Sequence, residues 1–270
     1  MHEVVNFLYV SERTRRGIKL KELDGAELIC FTEGLMNEIK PWLLQIHIYS
    51  GTLSIIFFWL IIYFKKGERL HKFLGQAYTL FMAILCLTTI LMCLLVLKFG
   101  VFAPTARLHL FLLAAGLIAF VPAHTAIWVS RMIHHKSFPN YSYHLLVNSV
   151  ALLFGLALGV YAIFAFYIPM AILCLFVYPH ILIPIITRLL KLKSKQSLNP
   201  TERLAWHIKI ALQSGGALHV GFLAGGNTTK YLNNQYMPET IVVAMFIIVI
   251  LIAWMEKRFI RNIQNFEIPS

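Results

Sequence analysis

The sequence has little charge to spare for a water-facing surface. Of its 270 residues 59% are hydrophobic and only 13% are charged, and the mean hydropathy is +0.71. A soluble domain devotes about a quarter of its residues to charge, so a soluble globular class is excluded and the solvent for most of this chain is lipid. The apolar runs also lack the alternation of polar and apolar residues that a membrane barrel requires. Carboxylates are missing from the middle of every apolar run. Glu3, Glu12, Glu22, Asp24, Glu27, Glu33 and Glu38 precede the first run, while Glu68, Glu202, Glu239, Glu256 and Glu267 sit in loops or at run ends. Their positions argue against a carboxylate-bridged di-iron oxidase and against a proton-coupled carrier built on a buried Asp or Glu. Cys30, Cys86, Cys93 and Cys174 show no paired spacing and no CxxC, so they are expected to be reduced and structural. The opening MHEVVNFLYVSERTRRG has no positively charged stretch ahead of its short apolar one, which predicts no cleavable signal peptide. No long linker or second domain is visible.

What is there is a series of runs long enough to cross a hydrocarbon core, which takes ~20 apolar residues in a helix. They predict an all-α fold: a polytopic membrane helix bundle of about seven transmembrane helices, at 41–64, 72–97, 106–132, 144–167, 169–190, 204–225 and 237–255. Residues 1–40 are read as an N-terminal polar or interfacial helical segment, 41–256 as the bundle and 257–270 as a C-terminal tail. Tyr167-Ile168-Pro169 leaves so short a joint that the fourth and fifth spans should form a tight antiparallel pair.

Net charge is +12 with an isoelectric point near 9.6. The basic residues cluster at the ends of apolar runs, which is a topology signal rather than a nucleic-acid surface. One side collects Lys65, Lys66, Arg69, Lys72, Arg131, Lys136, Arg188, Lys191, Lys193, Lys195, Arg203, Lys257, Arg258 and Arg261; the other has Lys98, Arg107 and Lys230. The positive-inside rule makes the first side, and the C-terminus, cytoplasmic in an inner or plasma membrane. With seven spans the N-terminal segment then lies outside. The partner this implies is the lipid bilayer, with no nucleic acid. Lys209, well inside the sixth run, is expected to snorkel to the interface.

Histidine is the unusual component. His47, His109, His124, His180 and His219 fall within spans, and His144 and His207 at span ends. An imidazole in a bundle interior needs a hydrogen-bond partner or a metal. His47, His109 and His219 belong to the outer half, His124, His144 and His207 to the cytoplasmic half with His71, and His180 lies near the middle. The third and sixth spans run antiparallel, so His109 is expected at the depth of His219 and His124 at that of His207. Two layers of paired histidines are what bis-histidine haem b needs to carry electrons across a bilayer. The fit is imperfect: at ~100° per residue the two histidines of each span point 60° to 120° apart unless a proline such as Pro122 kinks the helix. His47, His124, His207, His219, His109 and His71 are therefore the cofactor-binding candidates, and His180 and His144 the alternative metal ligands. His134-His135-Lys136 lacks the remaining clusters of a hydroxylase histidine box, and Ser214-Gly215-Gly216-Ala217 reads as a close-packing surface. Asn227-Thr228-Thr229 fits a glycosylation sequon.

His47, Gly51, Lys66, Gly67, His71, Gly75 and Tyr78 form a His-x3-Gly, Lys-Gly-x3-His-x3-Gly signature, and Arg203, His207, Ser214 and Phe222 a second one. In these the chain resembles an uncharacterised group of bacterial multi-pass membrane proteins, with Lys72 and His219 as departures. The resemblance implies a multi-pass fold and brings no activity. Leu70-His71-Lys72-Phe73-Leu74-Gly75 is similar to an element of the transmembrane cytochromes b. The first functional expectation is a haem b-binding or metal-binding redox protein with an unknown redox partner. The alternatives are a non-enzymatic sensor or assembly factor with structural histidines, and a small-molecule carrier broken at Pro179-His180. No residue pattern assigns a catalytic class.

Overall fold

A computed structural model describes residues 25–64, 68–97, 104–133, 140–166, 168–193, 198–225 and 237–264. All of their regular structure is helical: α1 (Gly25–Tyr63), α2 (Arg69–Leu97), α3 (Pro104–Arg131), α4 (Tyr141–Phe164), α5 (Ile168–Ile172), a π-helical turn (Leu173–Val177), α6 (Tyr178–Lys193), α7 (Pro200–Gly225) and α8 (Met237–Gln264). Five segments among the described residues are long and apolar enough to cross a membrane: Pro41–Tyr63, Arg69–Leu95, His109–Arg131, Tyr141–Phe164 and Met170–Leu192. The chain divides into two compact units, Met1–Ile46 and His47–Ser270. α1 is one continuous helix through Pro41, where the sequence places the boundary between polar segment and first span. Residues 1–24, the pair His134-His135 and the Asn227 sequon lie outside the described residues.

α3 is the centre of the second unit, with 72% of its span buried against 22% for that of α1. Its side chains explain this. Ala114, Ala115, Gly116, Ala119, Ala123 and Ala126 are small and buried, so neighbouring helices approach closely, as packing in lipid favours. Small side chains also leave the main-chain carbonyls within reach of other helices. Cys93 Sγ of α2 donates to the His109 carbonyl (3.0 Å), Tyr178 Oη of α6 to Ala114 (2.6 Å) and Ser214 Oγ of α7 to Ala119 (2.6 Å). Further along, His207 Nδ1 reaches the Ala126 carbonyl at 2.8 Å, and Arg203 Nη1 reaches those of Met132 (2.9 Å) and Ile133 (3.4 Å). Arg203 is buried, and its positive charge complements the negative end of the α3 dipole.

α7 lies antiparallel along α3, with α2 on another side of α3 and α8 against α7. The Asn199-Pro200-Thr201-Glu202 start of α7 is a reciprocal cap. Asn199 Oδ1 accepts from the Glu202 amide (2.7 Å) and Glu202 Oε2 from the Asn199 amide (2.9 Å). Lys209, expected to reach toward the interface, pairs with Glu256 near the end of the α8 apolar run, Nζ to Oε1 at 2.9 Å. A carboxylate within reach neutralises the charge there.

The fourth and fifth spans do form the expected pair, α4 running along α5, the π-helical turn and α6. The π-helical turn directly precedes Pro179, whose missing amide donor disturbs the ladder one turn back. The Tyr178 ring lies across Gly155, where a Cβ would collide with it, and its hydroxyl continues to α3. At Gly215 the occupant of the missing Cβ position is the Phe58 ring. Gly215→Val should therefore overpack the α1–α7 contact and destabilise by about 1–3 kcal/mol, read as a lower unfolding midpoint of the purified protein. Ser214→Ala, which removes two interhelical hydrogen bonds and strands the buried Tyr78 hydroxyl, should also cost about 1–3 kcal/mol.

Candidate functional site

The histidines separate by what holds each ring. At His47 the ring Nδ1 lies 3.3 Å from Thr88 Oγ1 and 3.2 Å from Thr89 Oγ1. Both hydroxyl protons are already directed at the Leu85 carbonyl, at 2.9 and 2.7 Å. His47 Nδ1 must then carry the proton and donate to the threonine oxygens, which makes Nε2 its acceptor nitrogen. His207 is also protonated on Nδ1, because the Ala126 carbonyl it meets can only accept. His219 is fully satisfied: Nδ1 donates to the Gly215 carbonyl (2.7 Å) and Nε2 accepts from Trp59 Nε1 (3.1 Å). His109 and His71 are half-buried, and His180 is exposed on α6.

The layered pairs expected from depth do not form. Ala126, which His207 touches, is two residues from His124, about 200° around α3; His124 points instead toward α4. The expected pairing of His109 with His219 is displaced too, since His219 turns to Trp59 and Phe58 of α1. His47, His207, His219 and His124 are thus held in four separate places.

The pair that does meet is His124 with His144. Their rings stack with centroids 4.9 Å apart and planes at 25°. On its other face His144 stacks on Trp128 at 4.4 Å and 28°. Helical spacing builds this column, because Trp128 is one turn beyond His124 on α3 and the first turn of α4 slots His144 between them. Tyr143 closes edge-on to His124 at 5.8 Å, and Trp128 meets Trp206 of α7 edge-on at 6.5 Å.

The column forms one wall of a cavity of about 710 Å³. α2 and α4 both pack on α3 and leave a cleft between themselves. Its deeper lining includes Leu80, Ala83, Phe120 and Ile127; its rim carries Gln76, Arg131, Asn140 and Tyr143. These positions are the start of α2, the end of α3 and the start of α4, so the cleft lies at the end of the bundle that bears the basic loops. His144 is only 4% exposed, and its Nδ1 has no hydrogen-bond partner among the described residues. One turn on, Asn148 spends its amide on Thr125 Oγ1 (3.0 Å) and the His144 carbonyl (2.7 Å), while its buried Oδ1 has no partner. Buried polar atoms without partners are costly and rare. The one at His144, which lines the cavity, marks a place where a ligand's polar group would be stabilised.

A haem between two axial histidines needs their ring nitrogens pointed at one another from opposite faces of the macrocycle. His124 and His144 instead present parallel faces in contact, so this pair does not fit that group. Among the described residues no group of three or more His, Cys, Asp or Glu side chains converges as metal ligands. The sequence reading had His124 and His144 but missed Trp128, Tyr143, Arg131 and Asn148 as their companions. The i, i+4 spacings His124–Trp128 and His144–Asn148 were the available signal.

The two kinds of histidine should respond oppositely to the same change. His144→Phe keeps a ring in the column and removes an unpartnered buried polar edge, so stability should be unchanged or higher. His219→Phe strands the Trp59 donor and the Gly215 acceptor and should cost about 1–3 kcal/mol. Thermal unfolding of both variants side by side checks the contrast. Comparison with protein-family models, curated proteins and solved structures gives no match.

Proposed function

We propose that the chain is a seven-span membrane protein that takes a small amphiphilic molecule laterally from the bilayer and holds it in the α2–α3–α4 cleft, at the cytoplasmic end. The observation that carries this reading is His144, buried in the cleft wall with a ring nitrogen that no group among the described residues satisfies. The volume of about 710 Å³ lies in the range of small-molecule sites. An apolar floor under a polar rim matches a molecule with a lipid-like body and a polar head. Polar side chains inside a membrane are retained at functional positions because they are expensive elsewhere.

Two helices beyond the five long apolar ones support the seven-span count. α7 has 26 residues and α8 has 28, about 39 and 42 Å at 1.5 Å rise each. α7 is less apolar because its surface from Ile210 to Leu218 faces protein rather than lipid. α8 turns Phe246, Ile247, Ile250 and Trp254 outward. Loop charge puts the basic end, and with it the cleft mouth, in the cytoplasmic leaflet.

Native mass spectrometry of the full chain released from its own membranes tests the reading. A bound small molecule should dissociate from the wild type and be lost from both His144→Phe and Ala83→Trp, the second filling the cleft without touching a histidine. Identical spectra for all three proteins would reject it. The orientation predicts that protease added outside intact cells cuts after Arg15 or Arg16, and protection there would reverse the topology.

A further inference from the structure

The chemistry of the cleft narrows what it takes. The geometry points to the headgroup of a membrane quinone, hydrogen-bonded by the His144 imidazole edge, with its isoprenoid tail leaving into the bilayer between α2 and α4. This rests on the cleft being a ligand site.

Three features favour a quinone over the phosphate headgroup of a lipid. The first is charge. Among the described residues Arg131 is the one Lys or Arg in the lining, and it is exposed at the rim. A phosphate buried beside His144 would need cations or several converging donors there, whereas an uncharged ring needs none. The second is the donor–acceptor pattern. A neutral imidazole holds one N–H and one lone pair, so it serves the carbonyl of an oxidised quinone by donating and the hydroxyl of the reduced form by accepting. The third is shape. Trp128, His144 and His124 stack within 28° and 25° at 4.4 and 4.9 Å, so the column turns a row of ring edges to the cleft, on which a planar ring packs edge-to-face. Leu80 of α2, which lines the cleft, is 59% exposed and gives its flank a hydrocarbon surface for the tail.

The test uses the full chain in phosphatidylcholine nanodiscs and a photoreactive azidobenzoquinone bearing a decyl tail. Peptide mapping should place the label within residues 120–131 or 140–148. Excess decylubiquinone should suppress it and excess phosphatidylglycerol should not. His144→Phe and Ala83→Trp should each weaken protection by decylubiquinone about tenfold or more, equivalent to about 1.4 kcal/mol. Trp254→Phe, on the outward face of α8, should leave it unchanged. Label that falls elsewhere, or that decylubiquinone does not suppress, overturns the quinone assignment. If phosphatidylglycerol or another native lipid then dissociates from wild type but not from Ala83→Trp in native mass spectrometry, the cleft reading survives that loss. If nothing distinguishes the wild type from Ala83→Trp, the cleft is not a ligand site and the quinone assignment goes with it.

Discussion

The carbonyl strip along α3 is the constraint on which the rest of the bundle depends. In a hydrocarbon solvent every polar side chain must find its partner within the protein, and α3 offers acceptors at His109, Ala114, Ala119, Ala126, Met132 and Ile133 to donors from α2, α6 and α7. Each such bond is individually modest. Together they set the register of α7 against α3, because Ser214, His207 and Arg203 reach successive carbonyls along one seam. The chain Tyr78–Ser214–Ala119 shows how tightly that register is specified. Ser214 has one proton and gives it to the Ala119 carbonyl, so Tyr78 Oη, 2.8 Å away, must donate to Ser214.

Once the seam is in place, the histidines divide by electrostatic need. His207 and His219 are donors that complete the hydrogen bonding of α3, α7 and α1, and His47 does the same for two threonines of α2. They are structural in the strict sense that removing the ring strands a partner. His144 strands nothing of its own: it contributes stacking to Trp128 and His124 while its nitrogen goes unsatisfied. That asymmetry, rather than the number of histidines, is what singles out the cleft.

The bundle was legible in the sequence because hydropathy is a local property. Runs of apolar residues read directly as helices, and the short joint at Tyr167-Ile168-Pro169 already implied that its flanking helices pair. Layer depth was legible too, since helix rise is constant. Direction around the helix was not. The proposed pairing of His124 with His207 had the correct depth, but one faces α4 and the other meets the far side of α3. Lys209 illustrates the same limit: its depth suggested snorkelling, and only the approach of α8 brings Glu256 to it.

By itself, then, the sequence determined the solvent, the helices, the clustering of basic residues at run ends and the unusual supply of imidazoles, all of which follow from composition and order along the chain. The tertiary structure alone decided which imidazoles are satisfied. A hydrogen bond depends on an azimuth and an approach of a few tenths of an ångström between segments far apart in sequence, and α2 and α4 meet His124, His144 and Trp128 only because both pack on α3.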